Sequence, residues 1–286
     1  MTENPTLSVI VATTHPWPEV EACLERLLAQ TMAIGGEVIL GDGDGGGVPG
    51  PMPGLVRIVN QGASVFVLRR DALLAARGPI VAMTEDHCQV ASDWCEQVLK
   101  AHTTHPELDG VGGSVDNGSR ERLIDWANFL ITFVPFMEPF VVDRGTRLPT
   151  PANVSYKRRV IPESLDVGQL EVGIPLELDR RRALGVDPSV RVTHVQSHGF
   201  LGSFAAHFHN GRATTGLAST KSWKGLWRSF AEMVGASVRG VWRRRDGLPR
   251  RALLSLPLVV ALALSHLFGS AIGLLRGPGC SPHRLS

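Results

Sequence analysis

Glu85, Asp86 and His87 are three consecutive side chains that can each donate to a metal ion, and they follow directly on the apolar run Pro79-Ile-Val-Ala-Met83. An apolar run of that kind reads as a central, buried strand. Charges at its carboxyl end then stand at the rim of a sheet, where open α/β folds bind their ligands. Two carboxylates and an imidazole there can hold a divalent cation, and a cation can in turn hold a diphosphate. The competing reading is a solvated acidic turn. Cys88, next in the chain, is either a soft metal ligand or the start of the following loop. His194 ends a later apolar stretch, and is either a further metal or phosphate contact or a hydrogen-bonded strand-end histidine.

The elements around these residues alternate. Residues 7–12 form a buried strand, with Thr13 to Pro16 as its loop. Pro18 suits a first helical position, and Val20, Cys23, Leu24, Leu27 and Leu28 then fall on one helical face. Residues 37–40 make the next strand. Strand, helix and strand at this length form a βαβ unit, so the sheet starts parallel. Strands over 56–59, 110–115 and 190–194 and helices over 65–76, 93–102 and 177–184 continue the alternation. Residues 151–157 are a polar strand or turn. The apolar, aromatic segment 123–136 is either a buried helix or a lid over a greasy acceptor.

Residues 41–47 spell G-x-G-x-x-G through Gly41, Gly43 and Gly46. A dinucleotide site needs a helix to open at these glycines and offer its N–H groups to phosphate. Pro49, Pro51 and Pro53 follow instead, and Asp42 and Asp44 would repel a pyrophosphate. No glutamate stands where a Ca²⁺ loop needs one to close. What survives is a strand-end loop whose carboxylates can accept hydrogen bonds from a nucleobase or ribose.

The chain has 286 residues, enough for one large α/β domain and an appendage. With 43% hydrophobic and 20% charged residues, wholesale disorder is excluded. The net charge of +2 hides an asymmetry: beyond Arg212 the acids are only Glu232 and Asp246. A basic, apolar tail is a membrane-surface signature before it is a nucleic-acid one. A single tyrosine and no nucleic-acid-binding motif argue against nucleic acid as a partner. In the tail, Trp223, Leu226, Trp227, Phe230, Met233, Val234, Val238, Val241 and Trp242 fall on one helical stripe. Residues 256–275 are apolar enough to span a bilayer, and Pro257, His266 and Gly269 equally suit a re-entrant or interfacial helix. A buried helix pair in a soluble protein is the alternative. The cysteines Cys23, Cys88, Cys95 and Cys280 form no C-x-x-C pair, and the amino terminus is polar. Reduced thiols in the cytoplasm are expected.

Taken in order, these segments resemble the family 2 glycosyltransferases of the GT-A fold over residues 7–215. Ser8 to Thr13 resembles that family's first strand, whose end meets the nucleotide. Glu37 to Asp42 resembles the second, whose aspartate binds the base. Arg69, Ala76 and Gly78 keep the spacing of its R-N-x-G-x-x-x-A-x-G helix, with Arg70 and Ala72 in place of Asn and Gly. Glu85-Asp-His87 stands where the family keeps D-x-D, and Asp93-Trp94 matches its P-x-W without the proline. Asn153-Val-Ser-Tyr-Lys157 resembles its acceptor-side segment. Val192-Thr-His194 resembles its late V-x-H, and His209-Asn-Gly-Arg212 the H-Y-G-R after it. The Glu-Asp pair that opens the late helix and supplies the base in that family is missing from residues 168–177.

The resemblance implies a Rossmann-like, mostly parallel sheet flanked by helices over residues 1–215, followed by a helical membrane-associating tail over 216–286. It implies inverting transfer from a nucleotide-sugar to a lipid-linked or glycan acceptor at the cytoplasmic face of the membrane. A divalent cation, Mn²⁺ or Mg²⁺, would be held by His87 with Glu85 or Asp86, and by His194; the imidazole suits Mn²⁺ at least as well. Asp42, with Thr13 or Asp44, would hold the nucleoside, and Arg69 would contact the phosphate. Asn153 and Tyr156 would face the acceptor. Glu171 would be the general base, with Glu177 in reserve. A different class is a degenerate transferase that binds a nucleotide-sugar without turnover, or a membrane scaffold.

Overall fold

A computed structural model describes residues 4–47, 50, 52–139, 149–167, 170, 173–218 and 222–285. They divide into two compact units. The first takes the described residues through Asp116 together with 149–194, and the second takes Asn117 to 139 together with Val195–Leu285.

The first unit is built on an eight-stranded sheet. Strands β1 (Ser8–Thr13), β2 (Glu37–Asp42), β3 (Leu55–Val59) and β4 (Ile80–Thr84) run parallel in the order β3-β2-β1-β4. Their connections are α1 (Trp17–Ala33) and α2 (Val65–Ala75). The order is extended on the β4 side by β7 (Asn153–Lys157), β6 (Gly110–Asn117), β8 (Leu184–His194) and β5 (Cys88–Val90). β7 is antiparallel to both β4 and β6, and β5 is antiparallel to β8. Helices α3 (Trp94–Thr104) and α5 (Ile174–Arg180) complete the unit.

Alternation along the strands sorts the core. Ile10, Ile39, Val81, Met83, Val154 and Tyr156 share one cluster with Ala72 and Leu73 of α2 and Leu178 of α5. Close helix-to-strand packing explains Gly41: a Cβ there would stand 2.6 Å from the Leu68 carbonyl oxygen of α2. The glycine therefore serves backbone approach, and the next left-handed position, Gly45 with φ +71°, turns the loop that follows.

The second unit is helical: α4 (Leu123–Phe133), α6 (Gly199–Leu217), α7 (Trp223–Arg243), α8 (Arg250–Leu254) and α9 (Leu256–Arg276). The aromatic segment that begins at α4 is a packed core helix, with Trp126, Phe129, Phe133 and Phe136 all buried. The tail stripe divides: Leu226 and Val241 turn inward, while Trp223, Trp227 and Trp242 stay exposed.

Several boundaries differ from those the sequence suggests. A helix over 177–184 is expected; α5 instead spans Ile174–Arg180, and β8 is already extended from Leu184. Cys88 opens a short strand, not a loop. The compact units part after His194, with α6 on the side of the tail, whereas sequence composition puts the division near residue 215.

Candidate metal and nucleotide site

Parallel pairing aligns Thr13 of β1 with Asp42 of β2, and Glu85 follows β4, the neighbour of β1 on its other side. These residues therefore gather at the carboxyl ends of the parallel strands. His194 reaches the same place from 107 residues beyond His87, because β5 pairs with β8 in a register that sets Cys88 opposite His194. The chain turns between β4 and β5 on a hydrogen bond from the Cys88 N–H to the Glu85 carbonyl, 3.0 Å. That turn holds Glu85, Asp86 and His87 at the rim.

Three donor atoms converge there. His87 Nε2 lies 2.9 Å from His194 Nε2 and 3.3 Å from Glu85 Oε2, and His194 Nε2 lies 3.5 Å from the same carboxylate oxygen. Ligands roughly 2.1 Å from one shared ion stand about 3.0–3.4 Å apart, so this spacing fits a single divalent cation. Cys88 Sγ lies behind, with the Glu85, Cys88 and His194 donor atoms all within 4.8 Å of one another.

Two of these donors, Glu85 and His87, are held from the far side. Arg69 Nη2 donates to Glu85 Oε1 at 2.7 Å, which leaves Oε2 to face the imidazoles. Asp86 Oδ1 lies 2.8 Å from His87 Nδ1, so the other ring nitrogen points at Glu85 and His194. Asp86 Oδ2 accepts from Thr13 Oγ1 at 2.6 Å and pairs with His15 Nδ1 at 3.0 Å. Asp86 thus orients His87, Thr13 donates to Asp86, and Arg69 pairs with Glu85 in a buried site.

The electrostatics follow from this packing. Burial favours the neutral form of Glu85, but hydrogen bonds from His194 and His87 and the charge of Arg69 outweigh it and hold the carboxyl well below its usual range. Burial likewise opposes charge on Asp86, and the hydrogen bonds from His15, His87 and Thr13 overcome it. Burial lowers His87, yet its bonds to Asp86 and Glu85 raise it to about 9. Burial leads in lowering His194. Both imidazoles face the Glu85 carboxylate, where a cation could take the place of a proton.

The strand-end loop is shaped by Asp42. Its Oδ1 accepts from the Asp44 and Gly45 N–H groups, each at 2.9 Å, and its Oδ2 accepts from Arg57 Nε at 2.6 Å. Arg57 also donates to the Gly46 carbonyl at 2.6 Å. Asp44 accepts from the Gly46 N–H at 3.1 Å. Any nucleoside contact to Asp42 has to share these oxygens. Sequence reasoning missed Arg57 and His15; a basic residue on β3 next to the aspartate strand was the only signal for Arg57.

The remaining site residues are placed as follows. Asn153 is fully buried and bridges the core: its Nδ2 donates to the Ser114 and Val190 carbonyls, both at 2.8 Å, and its Oδ1 accepts from Trp94 Nε1 at 3.0 Å. Tyr156 is 2% exposed inside the sheet core. Glu177 is exposed on α5 beside a cavity of about 580 Å³ shared with Asp109, Arg159 and Arg181. Lys157, two residues before Arg159, pairs with Ile80 at the start of β4, so Glu177 stands at the end of the sheet opposite Glu85. Glu171 lies outside the described residues.

No protein-family model matches the sequence, and no curated protein does. Among solved structures, the mannosyltransferase PcManGT from Pyrobaculum calidifontis, in complex with GDP-Man and Mn²⁺, overlaps 96% of this chain and 88% of its own at 16% identity, with a TM-score of 0.53. S. aureus TarS residues 1–349 overlap 92% of this chain and 81% of their own at 12% identity, with a TM-score of 0.44, a likeness too slight to support any inference. Identity at this level speaks to fold alone. The mixed eight-stranded sheet, its flanking helices and the helical region after it form an α/β, GT-A-like glycosyltransferase fold.

Proposed function

We propose that this chain transfers a sugar from a nucleotide-sugar donor, with inversion, in the manner of the family 2 glycosyltransferases that its motifs resemble. The observation that carries the reading is the convergence of Glu85 Oε2, His87 Nε2 and His194 Nε2 at the carboxyl ends of the parallel strands of such a fold. The mannosyltransferase of similar fold, solved with GDP-Man and Mn²⁺, supports a nucleotide-sugar and a divalent cation as the ligands to test first.

Glu85, His87 and His194 would hold the cation, which would neutralise charge on a departing diphosphate. A carboxylate with two imidazoles favours Mn²⁺ over the harder Mg²⁺. Arg69 fixes Glu85, and Asp86 fixes His87, so the donors are arranged before any ligand arrives. The Asp42–Arg57 pair sets the loop from Gly43 to Gly46 against which a nucleoside would lie. The acceptor hydroxyl needs a base, and with Glu177 at the far end of the sheet we assign that role to Glu171. We place the acceptor, lipid-linked or glycan, at the cytoplasmic face of the membrane.

Slow hydrolysis of a nucleotide-sugar by the purified chain checks the enzyme reading without knowledge of the acceptor. Glu85→Ala should abolish it, and Glu171→Gln should lower acceptor-dependent turnover by about 10²–10⁴-fold. Tight nucleotide-sugar binding with no turnover on any acceptor would instead make the chain a binding protein.

A further inference from the structure

The second unit carries its apolar residues in an order that water does not favour. Where α9 meets α6, the contact is made by small residues. Ser265 Oγ donates to the Phe204 carbonyl at 2.8 Å, and Ser270 Oγ to the Gly211 carbonyl at 3.2 Å. A Cβ on Gly269 would collide with the Phe208 carbonyl oxygen, and one on Gly273 would stand 2.5 Å from that of Arg212. Of the large side chains of the same helix, Val259 and Leu262 near its start are buried, while beyond them Leu264, Phe268 and Leu275 turn away, 51%, 62% and 63% exposed. A helix in water gains by burying Leu and Phe and leaving Gly and Ser outside. Small residues inside and large apolar ones outside is the pattern of helices packed in hydrocarbon.

Helix α7 adds a second, independent sign. Trp223, Trp227 and Trp242 are 51%, 60% and 66% exposed, among the exposed Lys224, Arg228, Arg239 and Arg243. The Arg245 guanidinium lies 4.7 Å from the centre of the Trp242 ring. Outward tryptophans interleaved with cations belong to the headgroup layer of a bilayer. From Arg243 to Arg251 the exposed charges are Arg243, Arg245, Arg250 and Arg251 against one acid, Asp246, while Arg244 is buried. A second copy of the chain on the same faces would oppose these like charges, whereas an anionic lipid surface would neutralise them.

We propose that the second unit docks on an anionic phospholipid bilayer, with the outward face of α9 among the acyl chains and the tryptophans and basic residues of α7 at the headgroups. The 21 residues of α9 reach about 32 Å, long enough to enter hydrocarbon along its whole length. The proposal gives the basic, apolar tail a partner of defined chemistry and stands whether or not the first unit transfers sugar, because lipid binding needs no nucleotide.

The test is flotation of the full chain, diluted out of detergent, with vesicles containing phosphatidylglycerol and with vesicles of phosphatidylcholine alone. The chain should float with the anionic vesicles, with blue-shifted tryptophan emission, and its partition should fall at least about tenfold on pure phosphatidylcholine. Leu264→Glu with Leu275→Glu should cut partition by at least about tenfold while thermal unfolding in detergent is unchanged, since both side chains are exposed. The proposal is overturned if the chain stays unbound to both vesicle types, or if the double variant floats like the parent. A dimer in solution that the same double variant dissolves would also overturn it, by giving those faces to a second copy.

Discussion

A histidine that presents one ring nitrogen to a cation needs the other nitrogen held, and Asp86 holds that of His87. Asp86→Asn keeps the shape and loses the charge, so calorimetry should show Mn²⁺ affinity reduced by about 10–100-fold, with His87→Ala costing more. An unchanged Mn²⁺ affinity in Asp86→Asn would show that His87 needs no such support. Asn153 makes the opposite case, a polar residue that serves the core. Truncating it to Ala would strand Trp94 Nε1 and the Ser114 and Val190 carbonyls without their partner, a loss of about 3 kcal/mol or more in urea denaturation. Nucleotide affinity measured well below the midpoint should be unaffected; a selective loss of acceptor use at full stability would restore Asn153 to the acceptor site. The residue types at 85–87 and at 194 were legible in the sequence because their chemistry is. Which carboxylate faces the two imidazoles was not, since that is decided by Arg69, Thr13 and His15, residues brought there by folding.

Short elements do more positioning here than their length suggests. The three residues of β5 set the register that carries His194 to Glu85, and three residues are too few to show a period. Pro188 within β8 reads as a break in sequence, and α6 shows no apolar stripe because its contact with α9 is made through small residues. The βαβ start and the strand before Glu85, by contrast, follow directly from uninterrupted apolar runs. Helix α3 is tied to β7 through His102, whose Nε2 lies 2.9 Å from Ser155 Oγ in the interior. Burial, with help from the Lys157 charge, lowers His102 from 6.5 to about 4. The unfolded chain therefore binds the proton first as pH falls, and the stability due to neutral His102 is lost between about pH 6.5 and 4. Unfolding free energies from urea denaturation should drop from pH 7 to pH 5, with His102 contributing of order 1–2 kcal/mol, and His102→Gln should reduce that slope. An equal slope in the variant would assign the acid sensitivity to other groups.

At the scale of the molecule, one unit gathers charged donors at the rim of a sheet and the other displays tryptophan, leucine and arginine to its surroundings. Composition alone announced that contrast, because the acids thin out after Arg212. Composition does not mark α6 as part of the helical unit, because α6 is neither strongly apolar nor strongly basic; it packs against α9. As proposed, the first unit would bind a nucleoside diphosphate through a cation held by Glu85, His87 and His194. Calorimetric titration of the full chain with GDP, UDP and dTDP, each with Mn²⁺ and with chelator, tests it most directly. One nucleotide should bind with Mn²⁺, and its affinity should fall at least about tenfold in chelator and in His194→Ala. Equal binding with and without metal, or no binding of any nucleotide, would contradict the account.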